Sequence, residues 1–303
     1  MTAILNQHEN YLQADQAYGF PLLIKNLLSR AKVVSGNKKI HYADKTSYTY
    51  HEFFKRVNRL ANVLKGLNLQ KGDVVAVMDW DTHRYLECYF AIPMCGYILQ
   101  TVNVRLSEDK VLYTINHAKP KALLLNSEFS PMIKSHTQDA PSVEHVIWLD
   151  DNNTPMPPYA QGEYEAMLAQ ASDEYEFEDF DENTIATTFY TSGTTGNPKG
   201  VFFSHRQIVM HTLVVAIANA LNIEGQGLRY SDVYMPMTPM FHVHAWGFPF
   251  VATMLGLEQI YPGRYMPSTM VDLVKKHNVT TTHGVPTILQ MLLGEINKRQ
   301  EKF

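Results

Sequence analysis

The feature that most constrains this chain is a loop rich in glycine and hydroxyl residues that lies between two apolar runs. It falls within residues 186–206, which read ATTFYTSGTTGNPKGVFFSHR. A short β-type run, Ala186 to Tyr190, precedes the loop, and an apolar run begins at Val201 after it. The loop contains glycines, hydroxyl groups and one ammonium group: Gly193, Gly196, Gly200, Thr191, Ser192, Thr194, Thr195 and Lys199. A fold for this chain must therefore present the loop directly after a strand.

The composition of this loop is suited to binding phosphate. Glycines let the backbone bend into conformations that bring N–H groups close to an anion, and hydroxyl and ammonium groups add further donors. The order of residues is neither a Walker loop, which needs Gly-Lys-Ser/Thr, nor a GxGxxG dinucleotide loop. The alternative interpretation, a flexible Gly/Thr hairpin, does not require so many hydroxyls together with a lysine. The sequence therefore predicts a phosphate-binding loop.

The loop resembles the signature of a known superfamily. Residues 192–200, Ser-Gly-Thr-Thr-Gly-Asn-Pro-Lys-Gly, are similar to the signature loop of adenylate-forming enzymes, which include acyl-CoA synthetases, luciferases and adenylation domains. Residues 48–52 and 96–116 resemble two further elements of that superfamily, so the resemblance covers nearly the whole chain. Within the superfamily, three stretches look most like medium- and long-chain fatty acid–CoA ligases of bacterial type: residues 78–85, 236–247 and 261–265.

Strand-like runs alternate with helical periodicities along the chain. Val74 to Met78 is a continuous apolar run without alternation, which is typical of a strand that is covered on both faces. Before it, residues 39–42 and 47–50 are consistent with a hairpin, and a helix with a capping box between Thr49 and Glu52 is expected next. After it, strands and helices follow one another to the end. The pattern predicts an α/β fold with mostly parallel sheets.

The resemblance implies a doubly wound arrangement of two similar α/β subdomains, as in the N-terminal large domain of adenylate-forming enzymes. We expect residues 1–68 and 222–303, approximately, to form one subdomain and residues 69–221 the other. The family's later motifs, including a Tyr-Gly-x-Thr-Glu element and a small C-terminal domain with an adenylation lysine, do not occur in this sequence. We therefore expect an incomplete AMP-binding domain that cannot turn over alone.

Composition narrows the class of partner. The chain of 303 residues has 26 basic and 30 acidic residues and no basic run, so nucleic acid is not expected as a principal partner. The acidic stretch at residues 173–182 is interpreted as a solvated linker in preference to a binding surface.

Cys88 and Cys95 lack metal or redox spacing and are predicted to be core thiols. With no signal peptide and no apolar stretch of membrane-spanning length, we expect a cytoplasmic protein without an integral membrane segment.

The resemblance also implies roles for the loop residues in a reaction that uses ATP, Mg²⁺ and CoA. Thr191 would lie near Mg²⁺ and the phosphates, and the β- and γ-phosphates would be bound by the rest of the loop: Ser192, Gly193, Thr194, Thr195, Gly196 and Lys199. Thr191 and Lys199 would take part in catalysis together with His242. His242 matches the histidine of the family's Pro-x-Phe-His segment, which lies beside the substrate carboxylate.

A second group of residues is predicted to line an acyl site. Trp246 matches a tryptophan that gates the acyl tunnel in similar fatty acyl-CoA synthetases, and an ordinary buried aromatic is an equally weighted alternative. Gly284 and Val285 belong to a segment that resembles the family's Val-Pro-Thr stretch, and Gly284 would leave room for a substrate to pass. His242 and His244 could instead bind a metal on one strand face, but no third ligand is recognisable, and His244 also fits a structural role.

The resemblance implies activation of a fatty carboxylate to acyl-AMP, followed by attack of the CoA thiol. An enzyme that adenylates another acid or an amino acid is the first alternative, although residues 238–250 contain no acidic residue to bind a substrate amine. A non-catalytic module that binds a nucleotide is an alternative from another class. Because some long-chain members of the family are dimers, the resemblance admits a homodimer. The acyl chain length is not encoded in any local motif.

Overall fold

A computed structural model describes residues 19–191, 196–221 and 227–300 of the protein. Its first part forms a helix pair and a hairpin. After a 3-10 helix at Ile24–Leu27, the elements are α1 (Leu28–Val34), β1 (Lys39–Tyr42), β2 (Thr46–Thr49) and α2 (Tyr50–Gly66). The hairpin between residues 39 and 50 is thus confirmed.

The middle of the chain builds the larger of two sheets. Its elements are β3 (Val74–Met78), α3 (His83–Met94), β4 (Ile98–Thr101), α4 (Glu108–Ala118), β5 (Ala122–Asn126), a 3-10 helix (Ser127–Met132), α5 (His136–Asp139), β6 (His145–Leu149), β7 (Gly162–Glu163), α6 (Tyr164–Gln170), β8 (Ile185–Thr191) and β9 (Lys199–Ser204). Among the described residues the strand order is β7-β6-β5-β3-β4-β8-β9. Among the strands described for this sheet, only β8 and β9 pair antiparallel.

The last part of the chain completes the smaller sheet. It contains α7 (His205–Ala220), β10 (Val233–Met237), α8 (Phe248–Leu255), β11 (Glu258–Tyr261), α9 (Pro267–Lys276), β12 (Thr281–Gly284) and α10 (Pro286–Arg299). Within the described ranges the order is β12-β10-β11-β1-β2, parallel except for the β1–β2 hairpin. The predicted α/β class with mostly parallel sheets is confirmed. The subdomain boundaries near residues 68 and 222 stay a prediction.

Helix α3 joins the two sheets. It contacts β1 of the smaller sheet and β3 and β4 of the larger one, and all its residues are buried. Its carboxylate Glu87 is fully buried and accepts hydrogen bonds from Arg56 Nε at 2.7 Å and from the hydroxyls of Tyr48 and Tyr164 at 2.6 Å each. A buried charge is tolerated only with such partners. Glu87 therefore ties α3 to β2, α2 and α6.

Several local predictions need correction. Thr49 Oγ1 accepts a hydrogen bond from the Glu52 N–H at 3.3 Å, but the Glu52 carboxylate binds Arg59 at 2.7 Å, so the capping box is only half formed. The long side chain of Arg59 offers a charged partner that a backbone N–H cannot match. Strands β7 and β11 and helix α6 were not predicted, because their short runs show no clear periodicity.

A membrane-crossing helix was not expected, and no helix in the described ranges has the length and apolar content that crossing a bilayer requires.

Candidate active site

The β8–β9 hairpin presents the predicted phosphate loop. Thr191 ends β8, Lys199 begins β9, and the two residues are register partners. Opposite residues of an antiparallel pair project from the same face, so the hydroxyl and the ammonium group share one side of the hairpin. Lys199 is exposed and Thr191 half-buried. Ser192, Gly193, Thr194 and Thr195 lie outside the described residues, whereas Gly196 has a left-handed φ of 86° that favours glycine.

Tyr190 fixes the base of this hairpin. Its hydroxyl bonds His117 Nδ1 of α4 at 2.7 Å, and burial raises the pKa of the phenol to about 12. A Cβ on the opposite residue, Gly200, would lie 3.3 Å from the Tyr190 ring. Gly200 therefore lets the ring lie flat against β9. The sequence predicts Tyr190 only as a strand residue, since its partner His117 is distant in the chain.

The segment that carries His242 follows the carboxyl end of β10, where ligands bind in open α/β sheets. Asp81 accepts a hydrogen bond from the Met240 N–H at 2.9 Å, and Thr101 Oγ1 donates to the Phe241 carbonyl at 3.3 Å. Asp81 is fully buried, which raises the pKa of its carboxyl to about 7. His242 itself is exposed. Residues of the larger sheet therefore hold the backbone on which His242 stands.

A left-handed turn follows His242. Val243, His244, Ala245 and Trp246 have φ between 46° and 53°, and Gly247 has φ of 73°. Left-handed backbone costs a non-glycine residue roughly 1–2 kcal/mol, so such a run persists only where the surroundings hold it. Helix α8 begins at Phe248, directly after this turn. Strain of this kind concentrates at functional sites.

His244 supplies the contacts that hold the turn. It is buried, and its ring lies 5.1 Å from Phe189, 5.8 Å from Tyr89 and 6.2 Å from Phe203, measured between ring centroids. Burial lowers the pKa of His244 to about 3, so the ring is neutral. Exposed His242 and buried His244 do not share one face as a metal pair would require. Phe189 and Phe203 belong to the β8–β9 hairpin, which places the turn beside the phosphate loop.

An apolar cavity of about 260 Å³ lies between this turn and α7. The turn contributes Val243, His244, Trp246 and Gly247, and the opposite wall consists of Phe203, Gln207, Ile208 and His211. Trp246 is 46% exposed. Its backbone carbonyl accepts a hydrogen bond from His211 Nε2 at 3.0 Å. Trp246 was predicted to line an acyl site, whereas the residues of α7 that form the opposite wall were not. The spacing of residues 207, 208 and 211 on one helix face was the available signal.

Gly284 and Val285 lie at the end of β12. A Cβ on Gly284 would lie 2.9 Å from Met237 Cβ, so the packing of β12 on β10 accounts for the glycine. Val285 precedes α10 and packs against the core of the smaller sheet. The neighbouring His283 stacks on Phe248 at 4.4 Å and lies 6.0 Å from the Trp246 ring. The structure thus brings the end of β12 to the turn through His283, and a substrate role for Gly284 and Val285 stays a prediction.

The chain is similar in sequence to known enzymes of one family. A protein-family model described as AMP-binding enzyme matches residues 29–302. The chain is 35% identical over 268 residues to the long-chain-fatty-acid–CoA ligase of Thermus thermophilus, covering 87% of this chain and 47% of that protein. It is 33% identical over 280 residues to the medium-chain-fatty-acid–CoA ligase of Ectopseudomonas oleovorans, covering 90% and 50%. The chain spans about half the length of these curated relatives.

A solved structure shows the same fold. The crystal structure of a long-chain-fatty-acid-CoA ligase from Archaeoglobus fulgidus matches with a TM-score of 0.80 at 19% identity, over 95% of this chain and 56% of that one.

Proposed function

The chain belongs to the AMP-binding enzyme family, and from that premise we propose that it forms the phosphate loop and the acyl pocket of a fatty acid–CoA ligase. The proposed substrate is a medium- or long-chain fatty acid, which ATP activates to acyl-AMP before the thiol of CoA attacks the acyl carbon. The observation that carries the proposal is the apolar cavity behind Trp246, since the turn that lines it continues directly from His242.

The phosphate side of the reaction is assigned to the hairpin. The ammonium group of exposed Lys199 and the hydroxyl of Thr191 share one face at the mouth of the loop, where they can bind the β- and γ-phosphates. Positive charge placed where pyrophosphate leaves stabilises the charge that develops on the leaving group. Residues 192–196 are proposed to add backbone N–H and hydroxyl donors.

The carboxylate side is assigned to His242. Although His242 is exposed, desolvation by the groups around it lowers the pKa of its imidazole below the ordinary value, so the ring is mostly neutral at neutral pH. A neutral ring can donate a hydrogen bond to the substrate carboxylate or to the α-phosphate, which reduces the repulsion between these two anions. The alkyl chain would extend from there past Trp246 into the cavity between the turn and α7.

Mg²⁺ fits the chemistry of Thr191, because a hydroxyl is a hard oxygen ligand of the kind this ion accepts. When bound, the ion would supply positive charge to the phosphates.

An amino-acid substrate is less well supported. The cavity-lining residues that the structure describes include no carboxylate that could pair with a substrate amine, and they are mostly apolar. A pocket of that composition gains affinity from an alkyl chain through burial of apolar surface.

The proposed function is tested by a pyrophosphate-release screen of the gene product that contains this chain, with straight-chain acids from acetate to palmitate. We expect ATP-, Mg²⁺- and CoA-dependent release, strongest with acids of medium or long chain. A preference for aryl or amino acids would contradict the fatty-acid assignment. Residues 1–303 expressed alone are expected to form no acyl-CoA, since the family's Tyr-Gly-x-Thr-Glu element is absent from this sequence.

A further inference from the structure

Away from the proposed active site, a group of metal-ligating side chains meets beside the smaller sheet. The group contains His41 of β1, Glu258 at the start of β11 and His277, which follows the last residue of α9. One ligand atom from each residue lies within 4.8 Å of the others, and this is the candidate metal cluster among the described residues. None of the three has a role in the proposed reaction.

The sheet register explains why these residues meet. In the parallel β1–β11 pair His41 lies opposite Ile260, and Glu258 is two residues before Ile260 on the same strand. Alternate residues of a strand project from one face, so His41 and Glu258 share a face. His41 Nε2 lies 3.1 Å from Glu258 Oε1. The arrangement therefore depends on strand pairing and not on loop conformation.

His277 covers this pair. Its ring centroid is 4.5 Å from that of His41, and its Nε2 is buried without a hydrogen-bond partner within the described part of the chain. The carboxylate of Asp44 is also close, with its Oδ1 4.0 Å from that nitrogen, and it accepts a hydrogen bond from Lys276 Nζ at 2.6 Å. A buried polar atom without a partner costs free energy, and a metal ion would remove that cost.

The geometry points to a Zn²⁺ site formed by His41, Glu258 and His277, with Asp44 as the fourth ligand, and we propose it as a structural metal centre. Two imidazoles and carboxylate oxygens are a ligand set that Zn²⁺ accepts. With metal–ligand distances of about 2.0–2.2 Å, tetrahedral ligand atoms lie roughly 3.4 Å apart. The His41 Nε2–Glu258 Oε1 distance of 3.1 Å is close to this spacing. The ligand atom of His277 lies within 4.8 Å of both, and Asp44 would exchange its contact with Lys276 for the ion. The ion would link β1, β11 and the end of α9.

The test is a titration of the purified protein with Zn²⁺ in competition with a chromophoric chelator. We expect one tight site. Loss of a group that only supports a metal ligand weakens binding by up to about 100-fold. Loss of a ligand itself, in His277→Ala or Glu258→Gln, should therefore weaken Zn²⁺ binding by at least about 100-fold. His136→Ala is the matched control, because His136 is a half-buried histidine on α5 in the other part of the fold. It should bind Zn²⁺ as the unsubstituted protein does.

A spectroscopic measurement separates this site from adventitious histidine binding. Co²⁺ added in place of Zn²⁺ should give the visible absorption of a tetrahedral ion, and both ligand variants should lose it while His136→Ala keeps it. If the unsubstituted protein binds no Zn²⁺ at micromolar concentration, or if Glu258→Gln binds it unchanged, the proposal is wrong. Glu258→Gln keeps the size of the side chain, so it decides the question even if His277→Ala does not fold.

Discussion

The two walls of the candidate active site are built in opposite ways. The phosphate wall is a single hairpin in which Thr191 and Lys199 face each other and come from one short stretch of sequence. The apolar wall joins Ile208 and His211 of α7 to a strained turn at residues 243–247, more than thirty positions away in the chain. The difference suggests a division of roles: a local motif supplies the chemistry, and distant segments together set which acid is accepted.

The largest expected effect tests the phosphate wall. Lys199→Ala should lower kcat of the proposed ligase by roughly 10²–10³-fold, because it removes a positive group from the developing pyrophosphate. The ranking of acids by chain length should not change. The measurement is pyrophosphate release with a short and a long acid. Lys298→Ala, at a side chain that is 80% exposed on α10, is the control and should retain full activity. A changed ranking in Lys199→Ala would break the proposed division.

The second prediction tests the apolar wall with a larger side chain that fills part of the cavity. Ile208→Phe adds volume to the cavity and should lower kcat/KM for long acids by about tenfold to a hundredfold, while short acids react as before. Ile217→Phe makes the same change on the exposed face of α7, where the side chain is 61% exposed. The control should leave the chain-length profile unaltered. Equal losses for short and long acids in Ile208→Phe would show that this cavity does not bind the acyl chain.

A third prediction asks whether the end of β12 belongs to the apolar wall. Gly284→Ala places a Cβ 2.9 Å from Met237 Cβ and should destabilise the fold by about 1–3 kcal/mol. Gly294→Ala meets no atom within 4 Å, and in the middle of α10 it should stabilise by up to about 1 kcal/mol. Urea unfolding measures both variants. If Gly284→Ala keeps its stability but loses activity with long acids, the glycine serves substrate passage and not sheet packing.

The smallest effect concerns His244, which links the two walls. Its pKa is about 3 in the fold and 6.5 without burial, so below pH 6.5 the unfolded chain takes up a proton that the folded chain does not. The stability that comes from neutral His244 is therefore complete above pH 6.5 and decreases as the pH falls toward 3. Between pH 7.5 and 5.5 the unsubstituted protein should therefore lose about 1 kcal/mol more stability than His244→Phe.

The measurement for His244→Phe is the free energy of unfolding in urea at these two pH values. His205 and His283, whose pKa values burial lowers to about 4, act in the same direction and remain in the variant as a common background. An unchanged pH dependence in His244→Phe would mean that the ring is accessible to protons and does not hold the turn as described.

Much of the fold was predictable because its signals are local. The unbroken apolar run at Val74–Met78 gave a strand with the expected bounds, and Ser107 precedes α4 with Glu108 and Asp109 in its first turn. The left-handed turn that precedes α8 was not predictable, since the φ angles of residues 243–246 run against every local preference of non-glycine residues. The aromatic contacts of His244 and the hydrogen bond between His211 Nε2 and the Trp246 carbonyl, both of which join distant segments, hold this turn.

By itself, the sequence determined the α/β class, the strand that leads into the phosphate loop and the identity of the groups at its mouth, because each depends on neighbours within a few positions. Tertiary structure alone decided that Ile208 and His211 face Trp246, that Gly284 packs on Met237, and that His41, Glu258 and His277 meet. These contacts depend on sheet register and helix packing, which bring together residues that no spacing along the chain relates.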